Sequence, residues 1–173
     1  MPLPKSASPK YVTQAKTDEW GTPPVVLDFA RYVLGANSLF DPCPKGGKSG
    51  LERRWGRHTY VNPPFSEKLV WIERAWLAVT KGESRLVLLH LPNSTETAWF
   101  IRAWKYAARI YFACPRINHL PQCGQSASQN TKGSVFFLFD GDNLVPPTNS
   151  PRKQVAWVRF NFRKGTWELH ELD

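Results

Sequence analysis

The sequence predicts an α/β sandwich with an antiparallel addition toward its C-terminal end. Three observations carry that prediction. Helix-spaced and strand-like apolar segments alternate over the first two thirds of the chain. One run, residues 85–91, is apolar nearly throughout, as a strand covered by helices on both faces is. Strand-like segments alone fill the last third. A chain of 173 residues with 42% apolar residues builds one proper core and is short for a second full domain. We therefore expect a single domain over residues 17–173, preceded at residues 1–16 by a loose basic arm of Pro, Ser and Lys.

The elements follow in order. Pro23 and Pro24 sit where a first helical turn tolerates proline, Val25, Val26, Phe29 and Val33 recur at helical spacing, and Gly35 stands where the helix ends. Residues 38–40 form a short apolar strand that stops at Asp41-Pro42-Cys43-Pro44 and gives way to a Gly-rich loop, Lys45 to Gly50. Residues 58–61 make the next strand, which two prolines end at Asn62-Pro63-Pro64. Leu69, Val70, Ile72, Ala75, Trp76 and Val79 then mark a helix, with Ser66 as its N-cap and Gly82 as its stop. After the central strand, Ser94 opens a second patterned helix through Trp99, Phe100, Ala103 and Trp104, and residues 109–113 return as a strand. Residues 114–133 are polar and too long for a simple connection. Strands are expected at 134–139, 155–162 and 166–172, the last two joined by a turn at Lys164-Gly165.

Composition narrows the function classes. The excess of 23 basic over 14 acidic side chains gives a net charge of +9, which favours a polyanionic partner, nucleic acid first. Cys43, Cys114 and Cys123 form neither an even disulfide set nor a C-x-x-C pair, so a reducing cytoplasm fits better than secretion. No apolar run approaches the ~18 residues of a membrane-spanning helix, and a soluble, intracellular protein is expected. His58, His90, His119 and His170 share no metal-ligand spacing with one another or with cysteine, and each reads as an ordinary surface or core histidine. Gly46-Gly47-Lys48-Ser49 is not a phosphate loop, since Pro42 stands where that pattern requires glycine. Most of the eight Trp are expected in the core.

The strongest chemical signal is Asn62-Pro63-Pro64-Phe65. Its bland reading is a rigid strand-to-helix connection with Phe65 packed inward. Its chemical reading starts from the lone pair of an aromatic amine, which is delocalised into the ring. Two acceptors, the Asn62 side-chain oxygen and the Pro63 carbonyl, can hold both amino hydrogens and draw the nitrogen toward tetrahedral geometry, freeing the lone pair to attack a methyl group. Phe65 offers a flat face to an extruded base. Asn62 has no useful basicity, so its role is acceptor and positioner.

Asn62-Pro63-Pro64-Phe65 resembles the catalytic motif of Rossmann-like amino methyltransferases, with Phe65 where Tyr is more frequent. Trp20-Gly21-Thr22-Pro23-Pro24 resembles their N-terminal cofactor-contacting motif, and Phe40-Asp41-Pro42-Cys43-Pro44 their acidic strand end. Together with Leu91-Pro92-Asn93-Ser94-Thr95-Glu96-Thr97-Ala98-Trp99-Phe100 and Arg109-Ile110-Tyr111-Phe112, the chain resembles the phage-type DNA N6-adenine methyltransferase (Dam) family over about residues 18–140. The resemblance implies a Rossmann-like three-layer sandwich with a reduced mixed sheet, S-adenosylmethionine as methyl donor and adenine in double-stranded DNA as substrate. It makes Asn62, Pro63, Pro64 and Phe65 the catalytic candidates and Trp20, Thr22, Pro23, Asp41, Pro42, Cys43 and Pro44 the cofactor-side candidates. Where such enzymes carry a compact Gly-x-Gly after the acidic strand end, Pro44 and Lys45 intervene here before Gly46-Gly47.

Phosphate contacts are expected from Lys45, Lys48, Arg53, Arg54 and Arg57, which cluster before the catalytic strand, although such a run is often a solvated face. Arg116 and Asn118 open the 114–133 segment, which is rich in residue types that read base edges and is the candidate target-recognition loop, with a mobile surface loop as its alternative. Four other functions stay open. The acceptor can be cytosine N4, RNA or a protein glutamine, and the chain can be an inactive DNA-binding module on the same fold. Oligomeric state is not legible.

Overall fold

The computed structural model describes residues 21–43, 50–117, 132–144 and 154–171. The arm at 1–16, Trp20, Pro44, Lys45, Lys48, Asn118 and most of the candidate recognition loop lie outside the described residues. Helix α1 (Pro24–Leu34) starts on a proline, whose missing N–H costs no helical bond there, and ends at Gly35. The φ of 60° at Gly35 is a left-handed conformation that lets the Gly35 and Ala36 N–H groups turn back onto the Tyr32 and Arg31 carbonyls. Then follow β1 (His58–Val61), α2 (Lys68–Thr80), β2 (Leu86–Pro92), α3 (Ala98–Tyr106), β3 (Arg109–Cys114), β4 (Ser134–Asp140), β5 (Gln154–Asn161) and β6 (Thr166–Glu171).

The six strands form one mixed sheet in the order β1-β2-β4-β3-β5-β6. β1 and β2 are parallel, as are β3 and β5, while β4 runs antiparallel between β2 and β3, and β6 pairs antiparallel with β5 at the edge. The carboxyl ends of β1, β2, β3 and β5 therefore share one edge of the sheet. The expected antiparallel C-terminal addition is present as the β5–β6 hairpin.

Alternation along β2 and β4 divides the core into two layers. Val87, Leu89, Leu91, Val135, Phe137 and Phe139 pack with Trp71, Ile72, Phe100 and Ala103 of α2 and α3 on one face. Leu88 and Phe136 pack with Val26, Phe29 and Leu34 of α1 on the other. Phe29 is the hub of that second layer, meeting Tyr111, Phe136, Phe160 and Trp167 edge-on with ring centroids 5.3–5.6 Å apart. The near-continuous apolar run of β2 is thus explained, because α1 and α2 cover its two faces.

Three local expectations are corrected. The strand at 38–40 reduces to a single bridge, Phe40 with Thr59, because the chain turns away at Asp41-Pro42. Ser66 does not cap α2: residues Phe65–Glu67 wind as a 3₁₀ turn after the two prolines and the helix starts at Lys68 with no side-chain cap. Ser94 does not open α3 either. Thr97 caps it, its hydroxyl oxygen accepting the Phe100 N–H at 3.4 Å while it donates to the Ser94 carbonyl at 2.8 Å.

Candidate functional site

The carboxyl edge of the sheet collects the polar residues. Parallel pairing of Phe40 with β1, through Phe40 N–H to the His58 carbonyl at 2.9 Å and Tyr60 N–H to the Phe40 carbonyl at 3.0 Å, sets Asp41 beside the end of β1, from which Asn62 emerges. Thr22, just before α1, reaches the same place. The Asn62 Nδ2 amide donates to Thr22 Oγ1 at 3.3 Å, Thr22 Oγ1 lies 3.4 Å from the Tyr60 hydroxyl, and that hydroxyl lies 2.9 Å from His90 Nδ1 in β2. Tyr60 and His90 are both buried, and the His90 ring stacks on Phe136 at 4.4 Å. A hydrogen-bonded chain thus runs from the sheet interior to the amide of Asn62. It spends the amide's donor nitrogen on Thr22 and leaves Oδ1 as the acceptor that faces away from that contact.

Electrostatics mark the same edge. Burial holds the Asp41 carboxyl above the usual carboxylate range, partly opposed by the Cys43 N–H that it accepts at 2.8 Å, although the residue keeps an exposed surface. Burial pushes the Cys43 thiol well up, and the Asp41 charge adds to the shift. The Tyr60 phenol is also raised, by burial first, with the Thr22 hydrogen bond opposing and Asp41 adding. Asp41 is therefore close enough for its charge to be felt at the base of the Asn62 chain.

Two glycines let the backbone close around this strand end. A Cβ on Gly50 would stand 2.5 Å from both Cβ and the carbonyl oxygen of buried Pro42, and one on Gly56 would stand 2.7 Å from Cβ of Phe40. The Gly50 carbonyl is held by the Trp55 indole N–H at 2.8 Å. Arg74 of α2 pins the same segment through the Leu51 and Arg53 carbonyls at 2.9 and 2.6 Å, and its ion pair with Glu83 at 2.6 Å completes the clamp.

Of the tetrapeptide, Pro63 is buried and Asn62, Pro64 and Phe65 are half-buried; the Pro64 carbonyl accepts the Glu67 N–H at 3.3 Å. The Lys68 ammonium donates to the Phe65 carbonyl and lies 5.7 Å from the Phe65 ring centroid and 5.4 Å from that of Trp99. Pro23 is buried at the start of α1.

The cationic candidates divide. Arg57 sits at the amino end of β1, where its carbonyl accepts the Arg85 and Leu86 N–H groups, so the structure does not bring it to the edge that carries Asn62. It lowers the pKa of His58 there, after burial and together with Arg85. Arg53 lies over the Phe40 ring at 5.9 Å, Arg54 is exposed, and Arg116 is exposed just beyond the end of β3. Both described ends of the candidate recognition loop are at the carboxyl edge: Ile117 follows β3, and the Gly133 carbonyl accepts the Asn93 N–H at 2.8 Å beyond β2.

Tyr60, His90, Lys68 and Trp99 are the site residues that motif reading passes over. His90 carries a legible signal, a lone polar residue within the apolar run Leu86-Val87-Leu88-Leu89-His90-Leu91, but its partner is thirty residues away on another strand.

The sequence profile of Dam, DNA N-6-adenine-methyltransferase, matches residues 9–153, and the chain belongs to that family. The DNA N-6-adenine-methyltransferase of Escherichia phage T1 is 26% identical over 152 residues, covering 72% of this chain and 63% of the relative. The DNA N-6-adenine-methyltransferase of Haemophilus phage HP1 is 26% identical over 140 residues, covering 71% of this chain and 79% of the relative. The chain thus spans a little under two thirds of the T1 relative's length. No solved structure matches significantly.

Proposed function

We propose that this protein methylates the N6 amino group of adenine in duplex DNA, with S-adenosylmethionine as methyl donor, in the bacterial cytoplasm. Membership of the family supports the reaction. The observation that carries the mechanism is the Asn62 Nδ2 bond to Thr22, which orients the amide so that Oδ1 serves an incoming amine. α1 on one face, α2 and α3 on the other, and a site at the carboxyl ends of parallel strands support a Rossmann-like three-layer arrangement.

The edge fits the methyl donor by the chemistry of its groups. The Asp41 carboxylate suits ribose hydroxyls, and Pro42, which Gly50 closely approaches, is a further candidate contact, as are Pro23, Cys43 and, outside the described residues, Trp20 and Pro44. When bound, the donor supplies an electrophilic methyl on sulfonium. Asn62 Oδ1 and the Pro63 carbonyl accept the two amino hydrogens of the extruded adenine. Pro63 and Pro64 fix the direction of that carbonyl, and Phe65, held by Lys68 at its carbonyl and ring, offers a face to the base. The chain His90–Tyr60–Thr22 anchors the Asn62 amide at the strand end. No residue acts as a base on the amine before it reacts; the proton leaves once the nitrogen carries its new methyl and becomes acidic.

The test is transfer of labelled methyl from S-adenosylmethionine to unmethylated duplex DNA, followed by digestion and nucleoside identification. N6-methyladenine is the expected product. N4-methylcytosine would overturn the choice of base, and absence of transfer to DNA would overturn the reading.

A further inference from the structure

The β5–β6 hairpin carries a second polar surface at the edge where Asn62 lies. β5 runs in the same direction as β1, so the turn that follows Asn161, at residues 162–165, projects beyond the carboxyl edge of the sheet. Asn161 Oδ1 accepts the Lys164 N–H at 3.1 Å, Gly165 takes a φ of 65°, and the Phe162 ring stacks on Phe160 at 5.9 Å, so the turn is held in one shape.

Beside the turn lies an open cleft of about 470 Å³, lined among others by Arg159, Asn161, Phe162, Arg163 and Glu168. The turn end is the more basic part of the hairpin, although Glu168 stands opposite Arg159 in the ladder. Toward the amino edge Glu171 is paired with Arg109 at 3.2 Å. At the turn end, Arg159, Arg163 and Lys164 are exposed and none forms an ion pair with a described residue. Exposed Arg116 lies just past the end of β3, the strand that pairs with β5. The carboxylate that lines the cleft, Glu168, has His170 at 3.7 Å.

Position supplies the second argument. In the sheet order β5 is four strands from β1, or about 19 Å at the usual strand spacing. That distance corresponds to about five or six base-pair steps along a duplex, roughly half a helical turn.

We propose that the turn end of the β5–β6 hairpin is a duplex-binding surface that grips DNA phosphates through Arg159, Arg163 and Lys164, about half a helical turn from the adenine held at Asn62. This rests on the methyltransferase reading. The hairpin contributes affinity and register and takes no part in the transfer, since phosphate contacts position a duplex without reading its bases.

The experiment compares wild type with the triple variant Arg159→Gln, Arg163→Gln, Lys164→Gln, measuring duplex affinity against salt concentration. Three lost phosphate contacts lower the slope of log K against log salt by about 2 to 3. The transfer rate at saturating DNA stays at the wild-type value. Glu168→Gln, which removes the opposing carboxylate, tightens binding. An unchanged slope in a triple variant with the wild-type melting temperature overturns the proposal. Arg163→Glu alone serves as a second variant, and unchanged affinity there overturns it equally. Because binding is read without methyl transfer, failure of the hairpin and failure of the methyltransferase reading are distinguishable.

Discussion

The end of β1 and the end of β5 lie on one edge of one sheet, yet they are built on opposite principles. At β1 the polar groups are spent on each other: Asn62 on Thr22, Thr22 on Tyr60, Tyr60 on His90, with the last two buried. At β5 the charged groups Arg159, Arg163 and Lys164 stand exposed with no ion-pair partner among the described residues. A hydrogen-bonded chain rooted in the core holds one amide in place, as chemistry on a single nitrogen requires. Exposed cations fix nothing by themselves and act on any phosphate within reach. The first region should respond to substitution in rate, the second in affinity and salt dependence.

The largest effect is expected from Asn62→Ala. Loss of one acceptor to the reacting amine should lower the transfer rate by on the order of 10² to 10³, while calorimetry finds cofactor affinity unchanged. Retention of more than about a third of the wild-type rate, far above that expected loss, would remove Asn62 from the mechanism.

Asp41→Asn should do the reverse and weaken S-adenosylmethionine binding by roughly 10- to 100-fold, the usual value of a hydrogen bond to a charged group. Its effect on the fold has the opposite sign. Burial raises the Asp41 pKa above its unfolded value, so this group favours folding most at low pH and loses that contribution as pH rises through the folded pKa. Near neutral pH the ionised carboxyl opposes folding, and Asp41→Asn should raise the melting temperature of the cofactor-free protein. A lower melting temperature at neutral pH would contradict this assignment.

Tyr60→Phe cuts the chain at its middle and leaves Thr22 and His90 without their shared partner. A roughly ten-fold lower kcat with unchanged KM is expected, together with about 1 to 2 kcal/mol of lost stability in urea unfolding. Equal loss of kcat and stability in a variant that also raises KM would point to general disorder of the site instead. Gly50→Ala has the smallest expected effect on rate. The added methyl meets Pro42 at 2.5 Å, and the displaced backbone should cost about 1 to 3 kcal/mol with a several-fold weaker cofactor affinity. Wild-type stability in that variant would show that the contact relaxes freely.

The two regions also differ in how far the sequence reveals them. The tetrapeptide and Asp41-Pro42 are contiguous motifs at strand ends, and local pattern places both. The Tyr60–His90 bond is not local: it needs β1 beside β2, which no spacing rule gives. Likewise β4 lies between β2 and β3 although it follows both in the chain, because strand order is settled by long-range pairing. Helix starts shifted for a nearer reason. The two prolines before Phe65 hold the chain extended and a 3₁₀ turn intervenes before α2, while Thr97 rather than Ser94 meets the free N–H groups of α3. The charge cluster at 53–57 shows the limit of proximity in sequence: the length of β1 separates Arg57 from Asn62 and carries it to the other edge.

The most direct test measures single-turnover methyl transfer against DNA concentration for Asn62→Ala and for the hairpin triple variant on the same duplex, at saturating cofactor. Asn62→Ala should lose the limiting rate and keep the half-saturating DNA concentration within a few-fold. The hairpin variant should keep the limiting rate and need at least about ten-fold more DNA at near-physiological salt. Loss of the same parameter in both variants would contradict the division of the edge into a centre that reacts and a surface that grips.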